Sequence, residues 1–247
     1  MDLKCLQQEI ADYYRAHSDP AVSAKYSRYF REGYDAYGVP DEILRTFRER
    51  FIAEHAKLLT PQNSLALGRL LMSTGKYEEA MTAIGLARHV LPRLTAASLG
   101  EFEYWLEHHV TNWAVCDVLS GELISKLLVS GVTRLPDLAG WRSAASRWRR
   151  RALPVSAIAL VKHDADICKL LKFIEPMLQD DERVVQQGLG WFLRECWKKE
   201  HQPVEALLLK HKDTAPRLVY QYACEKMDQA AKERFKRSRP ATKKAKS

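Results

Sequence analysis

Two side chains that could share one chemical task lie four residues apart in the stretch "VTNWAVCDVLSGELISKLL", residues 110–128. The apolar residues of this stretch recur with the period of a helix that buries one face, and residues four apart lie on the same face. Trp113 therefore lies one turn before Asp117. A carboxylate held beside an aromatic ring in a partly dry site could stabilise a developing positive charge. The alternative is a core tryptophan next to an ordinary exposed or capping carboxylate.

A second stretch, "WRSAASRWRRRALPV" (141–155), places two tryptophans and five arginines within eleven residues. Arginines with interleaved aromatic rings suit a phosphate backbone, because a guanidinium binds phosphate through paired hydrogen bonds and also stacks on rings. The pattern predicts nucleic-acid contacts by Arg147, Trp148, Arg149 and Arg150. The alternative is a solvated basic face.

A third stretch, "RVVQQGLGWFLRECWKK" (183–199), has one apolar stripe with spacings of four, three and four, on Val185, Leu189, Phe192 and Cys196. Trp191 lies outside that stripe, and a tryptophan off the buried stripe of an amphipathic helix is typical of an interface. Two glycines beside it lower helix stability, which predicts the close approach of another backbone.

The positive charge is concentrated in two segments of the chain. The net charge is +8, and residues 232–247 hold eight Lys or Arg against one Glu. Residues 134–172 hold nine basic against three acidic side chains, whereas the remaining ranges are close to neutral or slightly acidic. This asymmetry favours a polyanionic partner such as nucleic acid. For the tail, a disordered solubilising end is the alternative.

Composition and cysteine usage exclude several classes of protein. The chain has 247 residues, of which 46% are apolar and 28% charged, as expected for a soluble protein with a proper core. No window of eighteen apolar residues predicts a membrane span, and the N-terminus lacks the apolar stretch of a signal peptide. Five cysteines without a C-x-x-C pair argue against a disulfide framework and a zinc site. We therefore expect an intracellular protein without a metal or other cofactor.

Helical periodicity dominates the elements that must position these residues. Residues 64–94 read as two helices broken at "STGKY", where Gly75 can end the first helix, and alternation typical of strands is missing from the sequence. Segments of about fifteen residues with short connections favour an all-α fold, an α-solenoid (superhelix) of stacked helical hairpins. We expect one domain over residues 1–230 and a disordered basic tail over residues 231–247.

These stretches together resemble the HEAT-like-repeat DNA alkylation repair glycosylases of the AlkD type. "TNWAVCD" looks like the family's Trp-x-x-x-Asp block, "WRSAASRWRRRA" like its W-x-x-S-x-x-x-W-x-x-R-A block, and "QQGLGWFLRE" like its G-W-x-L-R-E block. "AKYSRYFREGYDAYGVP" is similar to its opening tyrosine-containing helices. Order and spacing agree over roughly residues 20–225. No single block is specific, but their joint occurrence in register is.

The resemblance implies a role for individual residues. Asp117 matches the catalytic aspartate, and Trp113 and Trp191 match the aromatic pair around the deoxyribose of the lesion. Arg151 matches an arginine that meets the DNA backbone there, and Tyr26 a tyrosine of the DNA-facing surface. We expect Trp113, Asp117, Arg151 and Trp191 to converge on a concave face.

The activity implied is hydrolysis of the N-glycosidic bond of cationic N3- or N7-alkylated purines, such as 3-methyladenine and 7-methylguanine, in duplex DNA. The family works in base excision repair and is thought to do so without base flipping, and we expect a cytoplasmic, nucleoid-associated monomer. Pro154 departs from the family pattern, because a proline inside a helix kinks or restarts it. The rival interpretations are a non-catalytic paralogue that binds branched or distorted DNA and a helical-repeat protein scaffold, which would have no basic concave face.

Overall fold

The computed structural model describes residues 2–238, and within that range it contains helices and connecting turns but no β-strand. The all-α fold class is therefore confirmed. None of the helices in residues 2–238 is long and apolar enough to cross a membrane. The chain divides into two compact units, residues 1–160 and 161–247. The expectation of one domain over residues 1–230 stays a prediction.

The first unit is built from nine α-helices, the last of which ends two residues inside the second unit: α1 Leu3–Ala16, α2 Pro20–Ser27, α3 Asp41–Glu54, α4 Pro61–Met72, α5 Tyr77–Val90, α6 Leu99–His108, α7 Trp113–Leu119, α8 Ser125–Val129 and α9 Arg147–Lys162. A π-helical segment, Ser120–Ile124, joins α7 to α8, and 3₁₀ turns cover Leu91–Arg93, Ala96–Ser98 and Leu135–Ser143. Helix α5 lies at the centre of this unit and packs on α1, α3, α4 and α7.

The break between α4 and α5 agrees with the sequence. Helix α4 ends at Met72 and α5 begins at Tyr77. Gly75 has a φ of +75°, the left-handed conformation in which glycine ends a helix without a steric penalty. The two helices then pack closely as a helical hairpin, the unit of the predicted stack.

The second unit contains the remaining helices of the described range: α10 Ile167–Ile174, α11 Arg183–Lys199, α12 His201–His211, α13 Arg217–Ala223 and α14 Gln229–Arg234, with a 3₁₀ turn at Glu175–Met177. The apolar stripe of α11 is fully buried, since Val185, Leu189, Phe192 and Cys196 are each 0% exposed. The stripe expected from the spacing is therefore confirmed.

Gly190 explains how closely α11 and α13 approach each other. A Cβ atom added at Gly190 would lie 2.4 Å from the Cβ of Tyr222 and 2.7 Å from the carbonyl oxygen of Val219. Any larger residue would collide with the backbone of α13. The close backbone contact predicted from the glycines is confirmed at this position.

The first part of the expected disordered tail is folded. Residues 229–234 form α14, and Phe235 is fully buried. Arg217 donates a hydrogen bond to the carbonyl oxygen of Phe235 at 2.8 Å, and the backbone N–H of Ser238 donates to Asp213 at 2.7 Å. The predicted boundary at residue 231 is thus too early, because a single buried aromatic ring holds a segment whose composition is otherwise polar. The rest of that tail, residues 239–247, lies outside the described residues.

Candidate functional site

Helix α7 places Trp113 and Asp117 on one face. The side chain of Asn112, which is buried, accepts a hydrogen bond from the backbone N–H of Val115 at 3.0 Å and so begins the helix. Trp113 is the first helical residue and is 36% exposed. Asp117 follows one turn later with 17% of its side chain exposed. The pair therefore faces the edge of the core, where a carboxylate and an indole are both within reach of solvent.

A π-helical segment follows directly after α7. It covers Ser120–Ile124, and the hydroxyl of Ser120 donates to the carbonyl oxygen of Cys116 at 2.7 Å. Segments of this kind are rare and are often found at functional sites. The sequence did not predict it, because the apolar period of residues 110–128 is satisfied equally well by a continuous α-helix.

Arg151 holds the carboxylate of Asp117. Its Nε donates to Oδ1 of Asp117 at 2.8 Å and its Nη2 to Oδ2 at 2.7 Å, which is the bidentate geometry of the strongest arginine–carboxylate pairs. The side chain of Arg151 is only 7% exposed. The family resemblance implies that Arg151 meets the DNA backbone, whereas in the structure this buried guanidinium fixes the position of the carboxylate.

Helix α9 brings Arg151 to α7 despite the proline inside it. Pro154 lies within the continuous helix Arg147–Lys162. The buried thiol of Cys116 donates to the carbonyl oxygen of Trp148 at 3.4 Å, which links α7 to the first turn of α9. Burial, together with the neighbouring charge of Asp117, raises the pKa of Cys116, so the thiol keeps the proton that it donates.

Residues between α2 and α3 hold the indole of Trp113. Its ring stacks on Phe30, with centroids 5.2 Å apart and an angle of 17° between the planes. Phe30 stacks in turn on Tyr34 at 4.6 Å. The indole N–H of Trp113 donates to the carbonyl oxygen of Tyr29 at 3.3 Å. One face of the indole is thus covered, and sequence reasoning missed Phe30 and Tyr34.

The arginine-rich segment is largely engaged within the protein. Arg149 pairs with Glu103 at 2.8 Å and lies 3.8 Å from Glu107. Arg150 donates to the carbonyl oxygens of Ala144 and Ala145 at 2.7 and 3.0 Å. These pairs neutralise or occupy guanidinium groups that the sequence pattern assigned to phosphates.

The two tryptophans of that segment belong to the core. Trp141 is fully buried, and its indole N–H donates to Glu103 at 2.5 Å. Trp148 is 5% exposed, which leaves no ring face for a nucleotide. The predicted DNA contact of Trp148 is therefore not supported, because its ring is buried in the core. Arg147 lies over the Trp148 ring at 5.1 Å and is half-buried.

Tyr26 and Trp191 are both half-buried. Tyr26 lies near the end of α2, with Nζ of Lys25 at 5.4 Å from its ring centroid. Trp191 lies on α11 of the second unit, one turn after Gln187, whose side chain donates to the hydroxyl of Tyr222 at 2.8 Å. Trp113, Asp117 and Arg151 are brought together in the first unit, and the convergence of Trp191 on them stays a prediction.

Comparison with known proteins agrees with the resemblance seen in the sequence. The family model described as DNA alkylation repair enzyme matches residues 10–227. A solved structure described as a predicted DNA alkylation repair enzyme from Enterococcus faecalis is similar with a TM-score of 0.67 and 20% sequence identity. The match covers 86% of this chain and 98% of that chain. At this identity the likeness shows the fold alone, which is helical and solenoid-like. No curated protein matches the chain.

Proposed function

Because the chain belongs to the DNA alkylation repair enzyme family, we propose that it is a DNA glycosylase acting on cationic alkylated purines in duplex DNA. The substrates are purines alkylated at N3 or N7, such as 3-methyladenine and 7-methylguanine. The observation that carries the proposal is the bidentate hold of Arg151 on Asp117, one turn from the exposed indole of Trp113.

The chemistry follows from the charge of the lesion. A purine alkylated at N3 or N7 is positively charged, so it departs as a neutral base when the bond from C1′ to its nitrogen breaks. The bonding electron pair leaves with the base, and such a leaving group needs no general acid. The costly step is the positive charge that grows on the sugar, as in the hydrolysis of other glycosides.

An ionised carboxylate and an indole face offset that sugar charge. The carboxylate of Asp117 stabilises the oxocarbenium character of C1′ and orients the water that attacks it. An electron-rich indole contributes roughly 0.5–2 kcal/mol through cation–π attraction. The attacking water adds its oxygen to C1′ and gives up a proton, to Asp117 or to solvent, so that an abasic site and the free base result.

The bidentate pair with Arg151 keeps the carboxylate from turning. A carboxylate that is fixed before the substrate arrives needs no reorganisation as the charge develops, which is the physical basis of electrostatic preorganisation. The pair also leaves part of Asp117 exposed, so that the sugar can approach it. In this proposal Asp117 acts on the sugar at C1′ and makes no contact with the base, so the base need not be flipped into a pocket, in contrast to enzymes that enclose the base.

The test is incubation of the protein with duplex DNA that carries one 7-methylguanine, followed by alkaline cleavage of abasic sites. Strand cleavage at the lesion supports the proposal, and the same duplex with an unmodified guanine is the control. Tight binding without base release would instead identify a non-catalytic protein that recognises distorted or branched DNA. Equal cleavage of a neutral lesion such as 1,N6-ethenoadenine would contradict the charge argument.

A further inference from the structure

Helix α2 buries none of its side chains, a property that it shares with α14 among the α-helices of residues 2–238. It belongs to one excursion of the chain, residues 19–38, here called the arm. The backbone N–H of Asp19 donates to the carbonyl oxygen of Gly38 at 3.2 Å, which closes the arm at its base. Gly38 has a φ of +84°, and a Cβ atom there would lie 2.2 Å from the carbonyl oxygen of Asp19. Because α2 buries no side chain, most of its surface is available for contacts outside the protein.

The base of the arm is fastened to α5 by a buried carboxylate. Glu78 is 1% exposed and accepts hydrogen bonds from the backbone N–H groups of Tyr37, Gly38 and Val39 at 3.0, 2.8 and 3.0 Å. The backbone N–H of Tyr77 donates to the carbonyl oxygen of Asp35 at 2.8 Å. The arm is thus a fixed element and not a loose loop, because its returning segment is bonded to the central helix of the unit.

The tip of the arm carries positive charge without local neutralisation. Its residues 25–31 read "KYSRYFR". Among residues 2–238, no carboxylate lies within 4.0 Å of the side-chain nitrogens of Lys25, Arg28 or Arg31. Tyr29 is 55% exposed, and Arg28 lies over its ring at 4.9 Å. The tip therefore offers the combination of cations and an exposed ring that suits a phosphate backbone, in contrast to the arginines of α9 that carboxylates occupy.

The same tip also orients the indole of Trp113. The carbonyl oxygen of Tyr29 accepts the indole N–H, and the ring of Phe30 covers one face of the indole. Tyr34 supports Phe30 from behind. The exposed side chains of Arg28, Tyr29 and Arg31 therefore share one short segment with the two groups that hold Trp113, the Tyr29 carbonyl and the Phe30 ring. A DNA strand bound by the exposed side chains meets an indole that is already held in place.

We propose that the arm is a substrate-binding element in which Arg28 and Arg31 take phosphates of the lesion strand and Phe30 is a positioning residue for Trp113. This proposal rests on the proposed function for its substrate. It assigns the charged contact beside Trp113 to residues 25–31. The arginine-rich pattern pointed instead to residues 147–150, and the family resemblance to Arg151 and Tyr26.

The binding half of the proposal, that Arg28 and Arg31 contact phosphates, is tested with the double variant Arg28→Gln/Arg31→Gln. The matched control is Lys4→Gln/Lys57→Gln, which removes two exposed charges elsewhere on the protein. Affinity for an undamaged duplex is measured by fluorescence anisotropy between about 50 and 200 mM salt. Each phosphate contact contributes about 0.9 to the slope of log affinity against log salt, so the arm variant should flatten the slope by about 1.8. An arm variant that changes the slope no more than the control would overturn this half.

The positioning half of the proposal, that Phe30 positions Trp113, is tested in single-turnover reactions at saturating enzyme. Phe30→Leu should slow release of 7-methylguanine by on the order of tenfold, since a reacting group displaced by about 1 Å can cost about 100-fold. Its affinity for the lesion duplex should stay within about twofold, because the ring acts on the chemical step and not on the phosphates. Phe30→Tyr keeps the stacked ring and should restore the rate.

The outcomes separate this proposal from the function on which it rests. If wild-type protein releases no base, the proposed activity fails, while the salt slopes still decide the binding half. If wild-type protein is active and Phe30→Leu matches it in rate, or if Phe30→Tyr fails to restore a reduced rate, the positioning role of Phe30 is wrong. A slower rate that tyrosine restores, at unchanged affinity, supports it.

Discussion

The guanidinium of Arg151 binds both carboxylate oxygens of Asp117, at 2.8 and 2.7 Å, across 34 residues of sequence. The arginine is 7% exposed and the aspartate 17%, so the exposed part of the pair is the acid. This arrangement presents a fixed negative charge to solvent and hides the positive charge that fixes it. The pair therefore suits a site that stabilises a transient cation.

Asp117→Asn is expected to lower base release by on the order of 100-fold or more, because the amide cannot offset the charge on the sugar. Affinity for duplex DNA should be equal or slightly higher, since a negative charge near phosphates is removed. Single-turnover cleavage of a 7-methylguanine duplex and a binding titration measure the two quantities. Unchanged base release would mean that Asp117 is not the catalytic group.

Arg151→Lys is expected to slow base release by about tenfold to 100-fold, because an ammonium cannot reproduce two parallel hydrogen bonds to one carboxylate. If Arg151 acts through Asp117, the substitution should add little in an Asp117→Asn background. A double-mutant cycle on the single-turnover rate measures this coupling. Independent, additive losses would instead indicate that Arg151 contacts the DNA directly.

The sequence could predict what depends on local spacing and little of what depends on distant contacts. The stripe of α11 and the break at Gly75 follow from periodicity and turn chemistry, and both agree with the structure. The pairing of Arg151 with Asp117 and the stack of Phe30 on Trp113 join residues far apart in sequence, so no local pattern contains them. The arginine-rich segment predicted phosphate contacts from its composition. The structure shows that carboxylates on α6 and α7 pair with Arg149 and Arg151, which local sequence could not reveal.

Gly190→Ala is expected to destabilise the protein by about 1–3 kcal/mol, because the added methyl group would collide with α13 and force the helices apart. Gly100→Ala is the matched control: it also lies in a helix, but no atom lies within 4 Å of the added carbon. That substitution should stabilise by up to about 1 kcal/mol through helix propensity. Urea unfolding followed by circular dichroism compares them, and equal effects would contradict the close packing.

Glu79→Gln is expected to make stability less dependent on pH. Burial raises the pKa of Glu79, and the hydroxyl of Tyr37, which donates to it at 2.6 Å, only partly lowers it. A carboxyl whose pKa is raised on folding binds more protons in the folded state, so its contribution is fully present below the unfolded pKa of about 4.3 and is lost as pH rises through the folded pKa.

Glutamine keeps an oxygen that accepts the Tyr37 hydroxyl but does not ionise. The free energy of unfolding of Glu79→Gln relative to wild type should therefore increase from about pH 4 to neutral pH. Urea unfolding at about pH 4, 5.5 and 7 measures this difference, because these values run from just below the unfolded pKa of about 4.3 to well above it. A difference that stays constant with pH would show that Glu79 has the same pKa in the folded and unfolded chain.

Two truncations should separate the structural and electrostatic parts of the C-terminus. Removal of residues 239–247 deletes four Lys or Arg but spares the buried ring of Phe235 and the bond from Ser238 to Asp213. It should leave the free energy of unfolding unchanged. If those cations reach phosphates, their removal should flatten the salt dependence of DNA affinity by about 0.9 for every phosphate that they bind. Saturated single-turnover cleavage should not change, since Asp117 and Trp113 stay in place.

Removal of residues 229–247 also deletes Phe235, and truncating a core phenylalanine costs about 3–5 kcal/mol. The longer truncation should therefore lower the urea midpoint strongly, and Phe235→Ala in the full chain should reproduce most of that effect. Equal salt slopes with and without residues 239–247 would mean that these residues bind no phosphate. Equal stability of the two truncated proteins would mean that Phe235 does not anchor the C-terminal segment, against the full burial of its ring.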